Sequence, residues 1–122
     1  MNLKTTLRFR IKLNGSHFLP GYDGKCAELH GHTYFIDLEI RGTIDPKSGM
    51  IIDFHDVEAL TDTAVKDHIH FNDHIDNPTA EHIAEWLFDI YDAVLSGIRV
   101  GVYLRALTVW EDPHQGVRIE CA

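Results

Sequence analysis

The sequence has 122 residues, 44% hydrophobic and 25% charged, a composition that fits one globular unit over 1–122 and excludes a disordered chain. Lys and Arg number 11 against 19 Asp and Glu, and the formal net charge of -8 argues against a general nucleic-acid binder or a ligand of anionic membranes. No apolar stretch approaches the roughly 18 residues of a membrane span, the start Met1-Asn2-Leu3-Lys4 has no apolar signal segment, and two cysteines, Cys26 and Cys121, are too few for a disulfide framework. A reduced, cytoplasmic setting is the expectation. The unusual count is His 9, the residue most used for metals and for proton transfer near neutral pH.

Alternation comes first along the chain. From Leu3 to Leu13, Leu7, Phe9, Ile11 and Leu13 point one way and Lys4, Arg8, Arg10 and Lys12 the other, which predicts a half-buried strand with a basic outer face. From Thr33 to Ile44 the pattern returns, with Tyr34, Ile36, Leu38 and Ile40 inward and Asp37, Glu39 and Arg41 outward. Asp45-Pro46-Lys47-Ser48-Gly49 is a turn, and Met50-Ile51-Ile52 leads into Asp53, a helix N-cap, after which Phe54, Val57, Leu60 and Ala64 recur at helical spacing. Thr79 caps a second helix with the buried stripe Ile83, Leu87, Ile90 and Val94; Glu81 suits the positive end of its dipole and Gly97 ends it. Ile98 to Trp110 and Val117 to Cys121 read as two more strands. The order predicts an α+β domain with helices on one face of an antiparallel sheet.

His30 and His32 are two apart where the second strand begins, so both share the inward face of Tyr34, Ile36 and Leu38. His17 has the parity of Phe9, Ile11 and Leu13, and points inward if the first strand runs on without a bulge. Three imidazoles then converge. Three nitrogen donors with no fourth from the protein is the arrangement of a catalytic zinc site, whereas a lone inward histidine is more often a hydrogen-bonded core residue. Cys26, four residues before His30 and next to Lys25, would have a lowered pKa beside a metal and serve as nucleophile or base; taken alone it is a small buried hydrophobe, as Cys121 is read. Between the helices lie Asp67, His68, His70, Asn72, Asp73 and His74, where Asp67 beside His68 can support a proton relay or stand in a solvated loop. Glu111 falls on the polar face with Arg99, Tyr103 and Arg105 under strict alternation, or turns inward with Leu107 and Val109 if a bulge intervenes near Arg105-Ala106.

Taken in order, His17, Cys26-Ala27-Glu28-Leu29-His30-Gly31-His32, Gly49-Met50-Ile51-Ile52-Asp53-Phe54, Asp67-His68 with Asn72, Pro78-Thr79-Ala80-Glu81 and Glu111 resemble the 6-pyruvoyl-tetrahydropterin synthase superfamily, over nearly the whole chain. The cysteine variant of the Cys-x-x-x-His-Gly-His element resembles the 6-carboxy-tetrahydropterin branch of the queuosine pathway or the pyruvoyl-forming branch. The resemblance implies the tunnelling fold: a four-stranded antiparallel sheet with two helices between strands 2 and 3, three subunits closing a barrel, two trimers stacking into a homohexamer, and active sites at subunit interfaces. It implies Zn2+ on His17, His30 and His32, Cys26 as proton acceptor, His68 with Asp67 and Glu111 as relay, Glu111 as anchor of the pterin, and Thr79 in the pterin pocket. The implied substrate is 7,8-dihydroneopterin triphosphate, a small molecule, with neither nucleic acid nor membrane as partner. Its triphosphate would meet Lys25 or the stripe of Lys4, Arg8, Arg10 and Lys12. The product is expected to be 6-carboxy-5,6,7,8-tetrahydropterin, with acetaldehyde and triphosphate released; the alternatives are triphosphate elimination to the 6-pyruvoyl product and a catalytically idle zinc- or pterin-binding homologue. Ser16 and Phe71 depart from the family pattern without touching a reacting group. Asp112, where the family has threonine, places a second carboxylate beside Glu111 and is expected to raise its pKa by like-charge repulsion.

Overall fold

The first strand runs further than its hydrophobic alternation alone carries it. β1 spans Thr6–His17 and pairs antiparallel with β2, His30–Arg41, in a register unbroken from Thr6 opposite Arg41 to His17 opposite His30. Without a bulge the parity of Ile11 and Leu13 passes to His17, which is buried. The computed structural model describes residues 2–122. Gly15 makes the extension possible: a Cβ there would stand 2.6 Å from Cε2 of the buried Phe71 and 3.2 Å from the Tyr34 ring, so only a residue without one lets that ring lie flat on the strand.

Asp53 caps α1, Phe54–Ala64, by accepting from the His55 N–H at 2.8 Å. The helix buries Val57 and Thr61, whose hydroxyl is satisfied by the Val57 carbonyl at 2.8 Å. Phe54, expected on this face, is instead exposed, because it sits at the first helical position before the chain has turned onto the core. The two-residue strand β3, Ile69–His70, then pairs parallel with Gly15 and Ser16 of β1. α2, Ala80–Ser96, is capped by Thr79, whose Oγ1 accepts from the His82 N–H at 3.2 Å. Its buried row is Ile83, Leu87, Tyr91 and Leu95 with Ala84 beside it, while Ile90 and Val94 lie at the half-buried margin.

Residues 98–101 form a turn rather than the expected start of a strand, and β4 spans Tyr103–Trp110 before a tight hairpin into β5, Gly116–Glu120. The sheet order is β3-β1-β2-β4-β5, so the four expected antiparallel strands acquire a short parallel fifth at the β1 edge. The β2–β4 ladder slips once: Glu39 faces Ala106 but Ile40 faces Leu104, which leaves Arg105 as an inserted residue. Leu104 points into the core before this bulge; Leu107 and Val109 point into it afterwards. The phase therefore carries Glu111 inward. Inward side chains of the sheet and the buried rows of both helices make one core, and the His17–His30 end of the β1–β2 pair closes over it.

Candidate metal centre and active site

Two facing strand ends bring the three histidines together. His17 lies opposite His30, and a two-residue step puts His32 on the same face. Ring centroids are 4.5 Å apart for His17 and His30, 4.9 Å for His30 and His32, and 5.4 Å for His17 and His32. Tyr34 stands edge-on beneath them, 6.1 Å from His17 and 5.5 Å from His32, and packs in turn on Phe71 as an apolar floor. Glu111 joins from the end of β4. One donor atom from each of His17, His30, His32 and Glu111 lies within 4.8 Å of the others, so the expected three-nitrogen set has a carboxylate as a fourth donor within reach.

The positions of the ring hydrogens decide what such a cluster can hold. His17 Nδ1 lies 2.7 Å from the Pro78 carbonyl oxygen, and His30 Nδ1 lies 2.7 Å from that of Glu28. A carbonyl only accepts, so each Nδ1 carries the proton and each neutral ring turns a bare lone pair inward at Nε2. Those two Nε2 atoms face each other at 3.0 Å. Glu111 Oε1 is 3.3 Å from His17 Nε2 and 3.4 Å from His32 Nε2, and the latter is buried without a hydrogen-bond partner. Two bare imidazole nitrogens beside a carboxylate make a cation site that His32 can join, and Nδ1 anchored on backbone carbonyls, as in His17 and His30, is the outer support that fixes ligating histidines. The residues fit a divalent ion such as zinc, for which imidazole nitrogen and carboxylate oxygen are ordinary donors.

Burial opposes charge on His17, yet the Glu111 carboxylate and the Pro78 carbonyl outweigh it and raise its pKa; on His32 burial prevails, helped by the neighbouring rings, and the value falls. Glu111 is held below the ordinary carboxyl range, chiefly by its bond to His17. The rise expected from Asp112 is therefore corrected. Asp112 accepts from the His114 and Gln115 N–H groups at 2.7 and 2.9 Å and from Gln115 Nε2 at 2.8 Å, so its charge is spent inside its own turn and its own pKa is lowered, most by His114.

The remaining residues singled out above lie around this centre. Cys26 and Lys25 occupy an exposed 3-10 turn, Lys25–Ala27, tied down by the Leu19 N–H donating to the Cys26 carbonyl at 2.9 Å; the thiol lies outside the four-donor group. Cys121 is half-buried and donates to the Leu104 carbonyl at 3.4 Å, a packing role. Asn72 pins the end of β1 by bonding both the N–H and the carbonyl of Phe18, at 3.0 and 2.9 Å. His68 has a left-handed backbone with φ 60, its ring is exposed, and its Nε2 is 3.7 Å from Asp67 Oδ2. Asp67 accepts from the Asn14 N–H at 2.7 Å and from Asn14 Nδ2 at 3.2 Å, and the backbone bond is the main reason its pKa is lowered. With Asn14, Ser16, Gly31 and Thr33, His68 lines an open groove on the outer face of β1 and β2; within this chain it does not join the cluster.

The arginines of the basic outer stripe face carboxylates on β2. Arg10 grips Asp37 with two nitrogens at 2.6 and 3.0 Å, Arg118 grips Glu39 at 2.9 and 3.3 Å, and Arg8 is 3.9 Å from the same Glu39. Two signals escaped the sequence reading: the Pro78 carbonyl, a backbone atom with no side-chain signature, and the fourth donor, which depended on the bulge.

A sheet that carries two helices and gathers three imidazoles and a carboxylate at one end defines an α+β protein with a candidate metal centre. The 6-pyruvoyl tetrahydropterin synthase family model matches residues 6–121, and the chain belongs to that family. It is similar to the dihydroneopterin monophosphate aldolase of Pyrococcus furiosus, 32% identical over 120 residues that cover 97% of this chain and 99% of the relative. It is also similar to the 6-carboxy-5,6,7,8-tetrahydropterin synthase of Synechocystis, 37% identical over 87 residues, 64% of this chain and 67% of the relative. Among solved structures, the 6-pyruvoyl tetrahydropterin synthase of Caenorhabditis elegans shares the fold with a TM-score of 0.82 at 21% identity, covering 98% of this chain and 97% of that one. Among the described residues no helix is long and apolar enough to cross a membrane.

Proposed function

We propose that the protein is a zinc-dependent lyase that converts 7,8-dihydroneopterin triphosphate and water to 6-carboxy-5,6,7,8-tetrahydropterin, with release of acetaldehyde and triphosphate. The observation that carries this reading is the convergence of the His17, His30 and His32 Nε2 atoms with the Glu111 carboxylate above the Tyr34 ring, with Cys26 four residues from the cluster's His30. His17, His30 and His32 would hold the metal. Bound there, zinc would polarise the side-chain hydroxyls of the substrate and acidify them and the adjacent C–H. The chain's own residues supply the rest. The Cys26 thiolate takes the proton from the substrate side chain, and Lys25 on the same turn meets the departing triphosphate. Glu111 accepts paired N–H bonds from the aminopyrimidinone edge, which sets ring position and selects this ring over isosteres. Thr79 sets the α2 terminus whose preceding carbonyl orients His17. His68, steadied by Asp67, relays the proton in a site shared between subunits of a homohexamer in the cytoplasm.

A second reading draws on the end-to-end match to the monophosphate aldolase. Aldol cleavage of the same side chain would break the bond between its first and second carbons and leave a two-carbon hydroxyaldehyde that keeps the phosphate. Purified protein offered the triphosphate and the monophosphate in parallel separates these readings. Acetaldehyde with free triphosphate supports the first; a phosphorylated two-carbon aldehyde from the monophosphate supports the second. Triphosphate release without acetaldehyde points to the 6-pyruvoyl product, and no turnover of either substrate rejects catalysis on these substrates.

A further inference from the structure

Glu111 stands where one carboxylate faces two demands. The reading above reserves it for the pterin ring, yet its Oε1 lies 3.3 Å from His17 Nε2 and 3.4 Å from His32 Nε2, inside the group of donors that would hold the metal. The neutral His17, whose hydrogen is on Nδ1, cannot donate across that gap, and the carboxylate cannot either. A positive charge between them satisfies both, either a proton on His17 Nε2, whose bond to Glu111 raises the His17 pKa against the effect of burial, or a metal ion that takes both lone pairs. The placement is built by the fold: the Arg105 bulge alone gives Glu111 its inward phase, and its N–H donates to the Gln115 carbonyl at 3.0 Å, which holds its backbone in the β4–β5 hairpin. Asp112 does not compete for the position, because its oxygens are committed to its own turn.

We infer that Glu111 supplies the fourth bond to the resident metal until substrate arrives, and that recognition of the pterin ring draws it off, opening the metal to the side-chain oxygens. Four protein donors make a closed site of the structural kind, whereas three with one open position make a catalytic one. A carboxylate that leaves on ring binding converts the first into the second. Its side chain is 26% exposed, so a ring can reach it from solvent while His17 behind it stays buried. Ring recognition and metal access are then one event, and the ring without any hydroxylated side chain is enough to trigger it.

This inference rests on the metal reading above, and the test separates the two. Cobalt(II) is titrated into the metal-depleted full chain, and its visible bands report affinity and donor set. Wild type should bind cobalt, Glu111→Gln should bind it about 10-fold more weakly or worse with altered bands, and Asp112→Asn should stay within about twofold of wild type. A pterin with a methyl group in place of the side chain should change the wild-type bands and leave those of Glu111→Gln unchanged. Equal affinity and bands in wild type and Glu111→Gln, an equal loss in Asp112→Asn, or wild-type bands indifferent to the ring would each overturn the inference. Should Glu111→Gln not fold by circular dichroism, the ring titration on wild type decides alone. Wild type that takes up no cobalt would defeat the metal reading itself.

Discussion

A carboxylate's surroundings decide what its charge contributes, and the sheet carries two at opposite extremes of use. Glu111 faces inward onto imidazoles; Asp37, on the outer face, takes two bonds from Arg10 and one from Trp110 Nε1 at 3.1 Å. The Arg10 bond is the chief reason that the Asp37 pKa is lowered, with burial working against it. A lowered carboxyl contributes stability above its unfolded-state pKa and loses it as pH falls through the folded-state value. Asp37→Asn should therefore be less stable than wild type at pH 7, with the gap closing in acid below the usual carboxyl range of about 4. Urea unfolding followed by Trp fluorescence at several pH values reads this directly. A gap that stays constant down to pH about 3 would mean that shape and hydrogen bonding, not ionisation, set the residue's contribution.

At the level of elements, the start of α2 is joined to the histidine cluster through one carbonyl. Thr79 caps the helix with its hydroxyl, and the Pro78 oxygen just before it takes the His17 Nδ1 hydrogen. Thr79→Ala should cost about 1 kcal/mol, the usual value of an N-cap, measured by denaturant unfolding. If capping is its whole role, turnover of the folded variant stays near wild type; a rise in KM without a matching loss of stability would instead place Thr79 against the pterin. The same elements show what a sequence can reveal. The inward phase of β1 and β2 was readable because both faces alternate over many residues, and the two helix starts because Asp53 and Thr79 are cap residues followed by helical spacing. The phase of β1 carried through to His17 since no residue is inserted before it. Three features had no comparable signal. β3 has two residues, too few for any period; Tyr91 replaces Ile90 in the buried row of α2 because contact with β4 selects the face; and the Arg105 bulge is one inserted residue in a strand whose composition fits either phase.

Over the whole molecule, the groups proposed for one reaction do not all meet within one chain. His17, His30, His32 and Glu111 sit on the inward face at one end of the sheet, whereas Asp67 and His68 lie on the outer face of β1 and β2, with the His68 ring 82% exposed. Among the described residues β5 has no neighbour on its outer side, and β1 meets β3 only at Gly15 and Ser16, so both edges of the sheet offer unpaired backbone to another copy. The proposed shared site requires the Asp67–His68 loop of one copy to meet the cluster of another. The proposed shared site makes a quantitative claim. Cys26→Ala and His68→Ala should each lower turnover by roughly 10²–10⁴ as homo-oligomers, the range for loss of a general acid or base. Co-assembled in equal amounts from co-expression, they should recover activity, because about a quarter of sites would pair an intact Cys26 from one subunit with an intact His68 from another. If both residues served the same chain's site, every site in the mixture would lack one of them, and activity would stay at the level of the single variants. Size-exclusion and mass measurement of the mixed oligomer would show that both chains are present, so that lack of recovery counts against the shared site and not against assembly.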